Sequence, residues 1–211
     1  FSVRELSADL CFSQGRCRYR KAPSKQPTIH LQYFSYRQFN RALSGIGRPL
    51  PLPRLSPMDI PKLFAFIKLS TYLKNFLAMP VPTSTGERLL QVRLSMQVAV
   101  AAATVLIEHE PFSKSLLNGS EDWAIRLRVD GTDICLMIGQ RNHTLRWGRN
   151  LRTQITAEII FKDLGQAHES VQGTLDNMAA MNEGSLRIHG YLPLAERFSL
   201  VLERVPLYLQ A

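Results

Sequence analysis

A chain of 211 residues that is 45% hydrophobic and 20% charged carries enough apolar material for one sizeable core, which excludes a wholly disordered, collagen-like or disulfide-scaffold protein. Its formal net charge of +9 is unevenly spread: residues 1–55 hold ten arginines and lysines against Glu5 and Asp9, a net of +8, and the remaining residues hold 16 basic and 15 acidic side chains. The basic character therefore belongs to an N-terminal segment and not to the near-neutral domain behind it.

Cys11, Cys17 and Cys135 are odd in number, and their spacing fits neither a C-x-x-C redox motif nor a zinc-ligand pair. A reducing compartment is expected and secretion is not. The sequons at Asn118 and Asn142 accordingly carry little weight.

Residues 1–56, rich in Ser, Gln, Arg and Pro without a sustained hydrophobic period, read as an extended or irregular basic arm. Its last stretch, Gly47-Arg-Pro-Leu-Pro-Leu-Pro-Arg54, reads as a semi-rigid proline linker. The Arg- and Ser-rich, acid-poor start without Met has the composition of a mitochondrial presequence or of the start of a mature mitochondrial protein, so the expected location is mitochondrial and otherwise cytoplasmic. Cations interleaved with aromatics, notably Arg18, Arg20, Tyr33, Tyr36 and Arg37, point to docking on a protein partner. An anionic membrane surface would suit the same residues, and single-stranded nucleic acid suits them less well.

Residues 57–211 read as one domain. Ser56-Pro-Met-Asp59 resembles a helix start, and Leu63, Phe66, Ile67, Leu73, Phe76 and Leu77 recur at helical spacing for about five turns. A second helical region runs from Thr85 to Leu117. Within it Leu94–Ile107 is apolar almost all round, yet short of the roughly 20 residues a bilayer requires, so a buried core helix is expected. From Glu121 the period changes to two. Trp123, Ile125, Leu127 and Val129 alternate with polar neighbours, Asp130-Gly131 marks a hairpin, and Ile134, Leu136 and Ile138 line the return strand. A turn over Gly139–Asn142, a third strand with Leu145 and Trp147, and a fourth from Thr153 to Phe161 complete an expected antiparallel meander. Asp163 and Thr174 are N-cap candidates, and Gly173 and Gly184 are stop signals for two short helices. Ser185–Gly190 reads as a short strand. Pro193 opens a last helix whose stripe of Leu194, Phe198, Val201, Leu202 and Val205 is expected to end at Pro206. The fold class is thus α/β (α+β): a single mainly antiparallel sheet of about five strands, helices on one face, and an extended N-terminal arm.

No dinucleotide, phosphate-loop, nucleophile-elbow or zincin motif is present. Glu108-His109-Glu110 is the densest titratable cluster, and a solvated helix terminus is favoured over a metal or acid–base site. His143, His168 and His189 stand one per element and read as surface or capping residues. The apolar remainder suits either a filled core or a cavity for an apolar ligand.

The Trp123-led strand with its Val129-Asp130-Gly131 turn, the Ile138-Gly139 pair and the Ala157–Asp163 strand feeding a helix are joined by the run Met178-Ala-Ala-Met-Asn-Glu-Gly-Ser-Leu-Arg-Ile-His-Gly190. Together they resemble the sterol-carrier-protein type 2 lipid-transfer family. The resemblance implies a non-enzymatic sterol-carrier-like domain over residues 57–211. It would hold a sterol, fatty acyl or isoprenoid lipid between sheet and C-terminal helix, lined by Leu127, Ile134, Leu136, Trp147, Ile155, Met178, Phe198 and Leu202. No metal and no cofactor beyond such a lipid is implied. The long basic arm departs from the pattern, as does an ending in Leu209-Gln-Ala211 without a peroxisomal Ser-Lys-Leu signal. Related domains occur as accessory factors in ubiquinone synthesis and in larger assemblies, so the alternative is an accessory subunit of a large mitochondrial complex docked through residues 1–56. An RNA-associated ribosomal subunit is the least favoured reading.

Overall fold

Short runs in which side chains alternate between two sides pair into sheets wherever a neighbour offers a free edge, and both ends of this chain do so. The computed structural model describes residues 52–79, 82–117 and 121–209, and in the N-terminal region residues 2–3, 6–7, 9–13, 16–20, 27–35, 38 and 41. Two compact units divide between Asn75 and Phe76, and not at residue 56 where the proline-rich stretch suggested a boundary.

The first unit bears out the extended arm and adds that its runs pair into strands. It contains β1 (Ser2–Val3), β2 (Leu6–Ser7), β3 (Asp9–Ser13), β4 (Arg16–Arg20), β5 (Ile29–Tyr33) and β6 (Leu52–Leu55). Strands β3 and β4 form a hairpin, and the other four make a sheet in the order β2-β1-β5-β6. Only the β1–β5 pairing is parallel. Pro53 belongs to β6 at the edge of that sheet, a position where a residue lacking an N–H is tolerated, so residues 52–54 of the stretch that reads as a linker lie in a strand. A 3₁₀ turn over Pro57–Asp59 leads into α1 (Ile60–Ala78), close to the five turns expected. Leu63 and Phe66 of α1, with Ile29, pack on Leu31 and Tyr33. Phe12 and Phe66 meet edge to face with centroids 6.2 Å apart.

The second unit contains α2 (Thr85–His109), α3 (Pro111–Leu117), β7 (Trp123–Val129), β8 (Cys135–Arg141), β9 (Thr144–Gly148), β10 (Ala157–Phe161), α4 (Leu164–Gln172), α5 (Asn177–Asn182), β11 (Leu186–Gly190) and α6 (Leu192–Leu209). Its five-stranded sheet has the order β11-β10-β7-β8-β9. The pairing is mainly antiparallel, but the meander stops at β9. Strand β10 crosses to the free edge of β7 and pairs with it in parallel, Ala157 beside Ile125 and Phe161 beside Val129. Thr156 fixes that crossing: its amide donates to the Ala124 carbonyl at 2.8 Å, and its hydroxyl accepts from the Ala124 N–H at 3.2 Å.

One turn also differs from expectation. Gly139 and Gln140 remain inside β8, and the reversal falls on Asn142 and His143, both at positive φ (48° and 58°), as a two-residue hairpin turn requires. Gly139 is needed for proximity: a Cβ there would lie 2.6 Å from the Trp123 carbonyl oxygen on the neighbouring strand. Asp163 caps α4 through the amides of Gly165 and Gln166, while the cap of α5 is Asp176 and not Thr174. Gly173 and Gly184 close their helices as expected. Pro193 is the second residue of α6, and the helix continues through Pro206 to Leu209. The missing Pro206 amide removes one helical bond near the end, where few turns depend on it.

Helices cover one face of the sheet. Val92, Met96, Val100, Ala103 and Ile107 of α2 join Phe198, Val201 and Val205 of α6 over Ile125, Leu127, Val129, Leu136, Ile138, Ile159 and Phe161. The opposite face is charged. Glu158 accepts from Arg126 Nε at 2.7 Å and lies 3.1 Å from Arg128 Nε, and Asp130 pairs with Arg128 and Arg187. Beneath these arginines, as their cross-strand neighbours, Met137 and Ile160 are buried.

Candidate functional site

The apolar seam between sheet and helices holds a small pocket of about 30 Å³, walled by Met96, Ala99 and Val100 of α2, Leu127 of β7, Phe161 of β10, Ser170 and Val171 of α4, and Leu202 and Val205 of α6. This is room for a water or two, far below the several hundred Å³ that a drug-sized ligand fills. Ser170 is the only residue with a side-chain hydroxyl in that wall. The wall is mainly apolar, and the space would have to widen to admit an acyl chain.

The expected lining residues divide. Leu127, Ile134, Leu136 and Phe198 are buried, and Ile155 and Leu202 are half-buried, but only Leu127 and Leu202 touch the cavity. Trp147 is 41% exposed because β9 is the sheet's last strand among the described residues. Met178 is 71% exposed because α5 turns Ala180 inward in its place. Neither lines the cavity. Met96, Val100, Phe161, Val171 and Val205 were not expected in the wall. The α2 pair could have been found from the four-residue spacing of Val92, Met96 and Val100, a signal drowned by apolar residues on the other sides of that helix.

Of the expected docking residues, Tyr33 is buried under α1, and burial raises its phenol pKa; it offers no contact surface. Arg18 and Arg20 lie on β4. Tyr36 and Arg37 lie outside the described residues.

The Glu108–Glu110 cluster lies at the junction of two helices. Glu110 joins α2 to α3 and accepts from Arg204 Nε at 2.8 Å in a two-pronged pair that includes Arg204 Nη2; it also accepts from the Ser113 hydroxyl. Arg204 in turn lies 4.9 Å above the Phe112 ring, so this ion pair helps fasten α6 to the α2–α3 corner. His109 and Glu108 meet at 3.7 Å at the exposed helix end. No group of three His, Cys, Asp or Glu side chains fit to hold a metal exists among the described residues. His168, expected at the surface, is buried on α4, and its Nε2 has no hydrogen-bond partner among the described residues. Desolvation, and secondarily the charge of Arg88, holds its pKa below the ordinary value, so it is neutral at pH 7. Helix α2 is long and apolar enough to cross a membrane, but half of its most apolar window is buried within the protein.

No family model matches the chain, and no curated protein matches it. Several solved structures are similar at low identity. A UbiJ-SCP2 ubiquinone synthesis protein is 12% identical over 51% of this chain and 87% of its own, with a TM-score of 0.38. Sterol carrier protein 2 like 2 from Aedes aegypti is 12% identical over 52% of this chain and 98% of its own, with a TM-score of 0.36. The sterol carrier protein domain 2 of Helicoverpa armigera is 11% identical over 52% and 85%, with a TM-score of 0.38.

Proposed function

We propose that the protein is a non-enzymatic binder of an apolar lipid, a sterol, fatty acyl or isoprenoid chain, received between the sheet and α6. The observation that carries this reading is the cavity wall, whose nine residues include only one with a polar side chain and which lies where α2, α4 and α6 converge on β7 and β10. In the closed state the void is small, so binding selects a wider arrangement of these helices, and the ligand's differential affinity must supply the opening free energy. The test is organic extraction of the purified protein with mass spectrometry of the extract, followed by titration with a fluorescent fatty acid. One saturable site is expected. Ala99→Leu, which fills the void from α2 without introducing a charge, should weaken that site while leaving the fold intact. A protein that yields no lipid and shows no saturable binding refutes the reading.

The second reading, an accessory subunit docked through its N-terminal residues, rests on the +8 charge of residues 1–55. Size fractionation of a native extract tests it: migration of the intact protein at its own mass of 23.9 kDa rejects it.

A further inference from the structure

Helix α1 is apolar on nearly every side, a composition suited to a core, yet most of its large side chains are exposed in the first unit. Leu63 and Phe66 point to β5, and this inner contact leaves Ile60, Phe64 and Ile67 uncovered, with Phe64 66% and Tyr72 62% exposed. Ile60, Phe64 and Ile67 follow the i, i+4, i+7 spacing and so form one face. At about 100° per residue, Lys68 and Lys74 fall on the two margins of that face. The helix contains no acidic residue, and the nearest one before it, Asp59, is held by Lys62 at 2.7 Å. An exposed apolar face of this kind marks a contact surface, and its cationic margins define the occupant.

We propose that α1 docks the protein on an anionic lipid bilayer, with Ile60, Phe64 and Ile67 inserted at the headgroup–acyl boundary and Lys68 and Lys74 reaching lipid phosphates. A bilayer satisfies both halves of the surface, because long lysine stems lie along apolar material while their ammonium groups stay in the wet headgroup layer. A second copy of the chain would oppose lysines to lysines. A nucleic acid would answer the lysines but leave the aliphatic face in water. The inference is independent of any ligand in the core cavity.

The experiment is co-sedimentation of the full chain with vesicles of phosphatidylcholine alone and of phosphatidylcholine mixed with phosphatidylglycerol. Binding is expected to the mixed vesicles and to weaken as salt is raised. Lys68→Glu with Lys74→Glu should lower the partition coefficient at least tenfold, on the order of what basic residues near an anionic surface contribute. Phe64→Glu with Ile67→Glu should abolish binding. Both positions are exposed, so the melting temperature should be unchanged, and that measurement accompanies each variant. A wild-type protein that stays in the supernatant overturns the proposal, as does undiminished binding by the Phe64/Ile67 variant. A wild-type dimer that becomes monomeric in that variant also overturns it, since the face would then be covered by a second copy.

Discussion

Leu127→Ala tests the packing of the cavity wall directly. Leu127 is buried at the centre of β7, with the void on one side and core neighbours on the others. Truncation removes three carbons, worth roughly 2.4 kcal/mol at about 0.8 kcal/mol per buried methylene. It also enlarges a hole whose walls belong to three helices and two strands and relax only in part, adding on the order of 1 kcal/mol. The expected loss is about 3–4 kcal/mol, or a fall of about 1.5–2 M in the urea midpoint for an m-value near 2 kcal/mol/M. The assay is urea unfolding followed by Trp123 fluorescence in a Trp147→Phe background, because Trp123 is buried on the same strand and donates its indole N–H to the Leu117 carbonyl. Adding Ala99→Leu should recover part of the loss, since both side chains face one void and their effects cannot be independent. A midpoint change below about 0.5 M would refute the packing described here.

Arg204→Ala should cost about 1.5–3 kcal/mol, because it leaves the largely buried Glu110 carboxylate without its main partner; a drop in melting temperature that Glu110→Gln partly rescues checks it. His168 has a depressed pKa in the fold, so the unfolded chain binds the proton more readily. Stability should decline as pH falls below about 6.5, and His168→Gln should flatten that slope in denaturant titrations. For Glu158, desolvation raises the carboxyl, but the Arg126 hydrogen bond and the charges of Arg126, Arg128 and His189 outweigh it and leave the pKa below 4.5. The stability this group contributes should persist above that pH and fade as pH falls through the lower folded value, a loss absent in Glu158→Gln. Gly190→Ala should destabilise by at least about 2 kcal/mol, since φ is +89° there and a Cβ would lie 2.4 Å from the Thr156 carbonyl oxygen; circular-dichroism melting reads it.

The sequence displayed elements whose signal is local. Five turns beyond Asp59, the alternation from Trp123 to Val129, the Asp163 cap and the stop at Gly173 each arise from neighbours within a few residues, and each is present. What depended on distant partners was hidden. The period of two in β10 states which side chains share a face but is silent on which edge the strand joins, so the parallel pairing with β7 was illegible. Alternation equally cannot tell a central strand from an edge, which is why Trp147 read as inward. The strands of the first unit are short and carry arginine and serine without a hydrophobic rhythm, so composition pointed to an extended or irregular arm but not to the pairing of its strands. The candidate site was visible on its sheet side, at Leu127, and on α6, at Leu202. The α2 wall was lost because a helix apolar on nearly every side has no inward face that periodicity can single out.

The parallel seam also sets an order of assembly. Strands β7, β8 and β9 are joined by short reversals and can pair as soon as they are synthesised, but β7 meets β10 only across the 32 residues that separate Ile125 from Ala157. Until then the central strand of the finished sheet is an open edge bearing Ile125, Leu127 and Val129, the kind of edge that recruits other chains. Phe198, the largest fully buried side chain among the described residues, arrives later still, on α6. A nascent chain interrupted before residue 157 therefore presents a sticky half-sheet, and one interrupted before α6 presents a sheet with a bare face. Synthesis through the last helix is what covers both the open edge and the bare face.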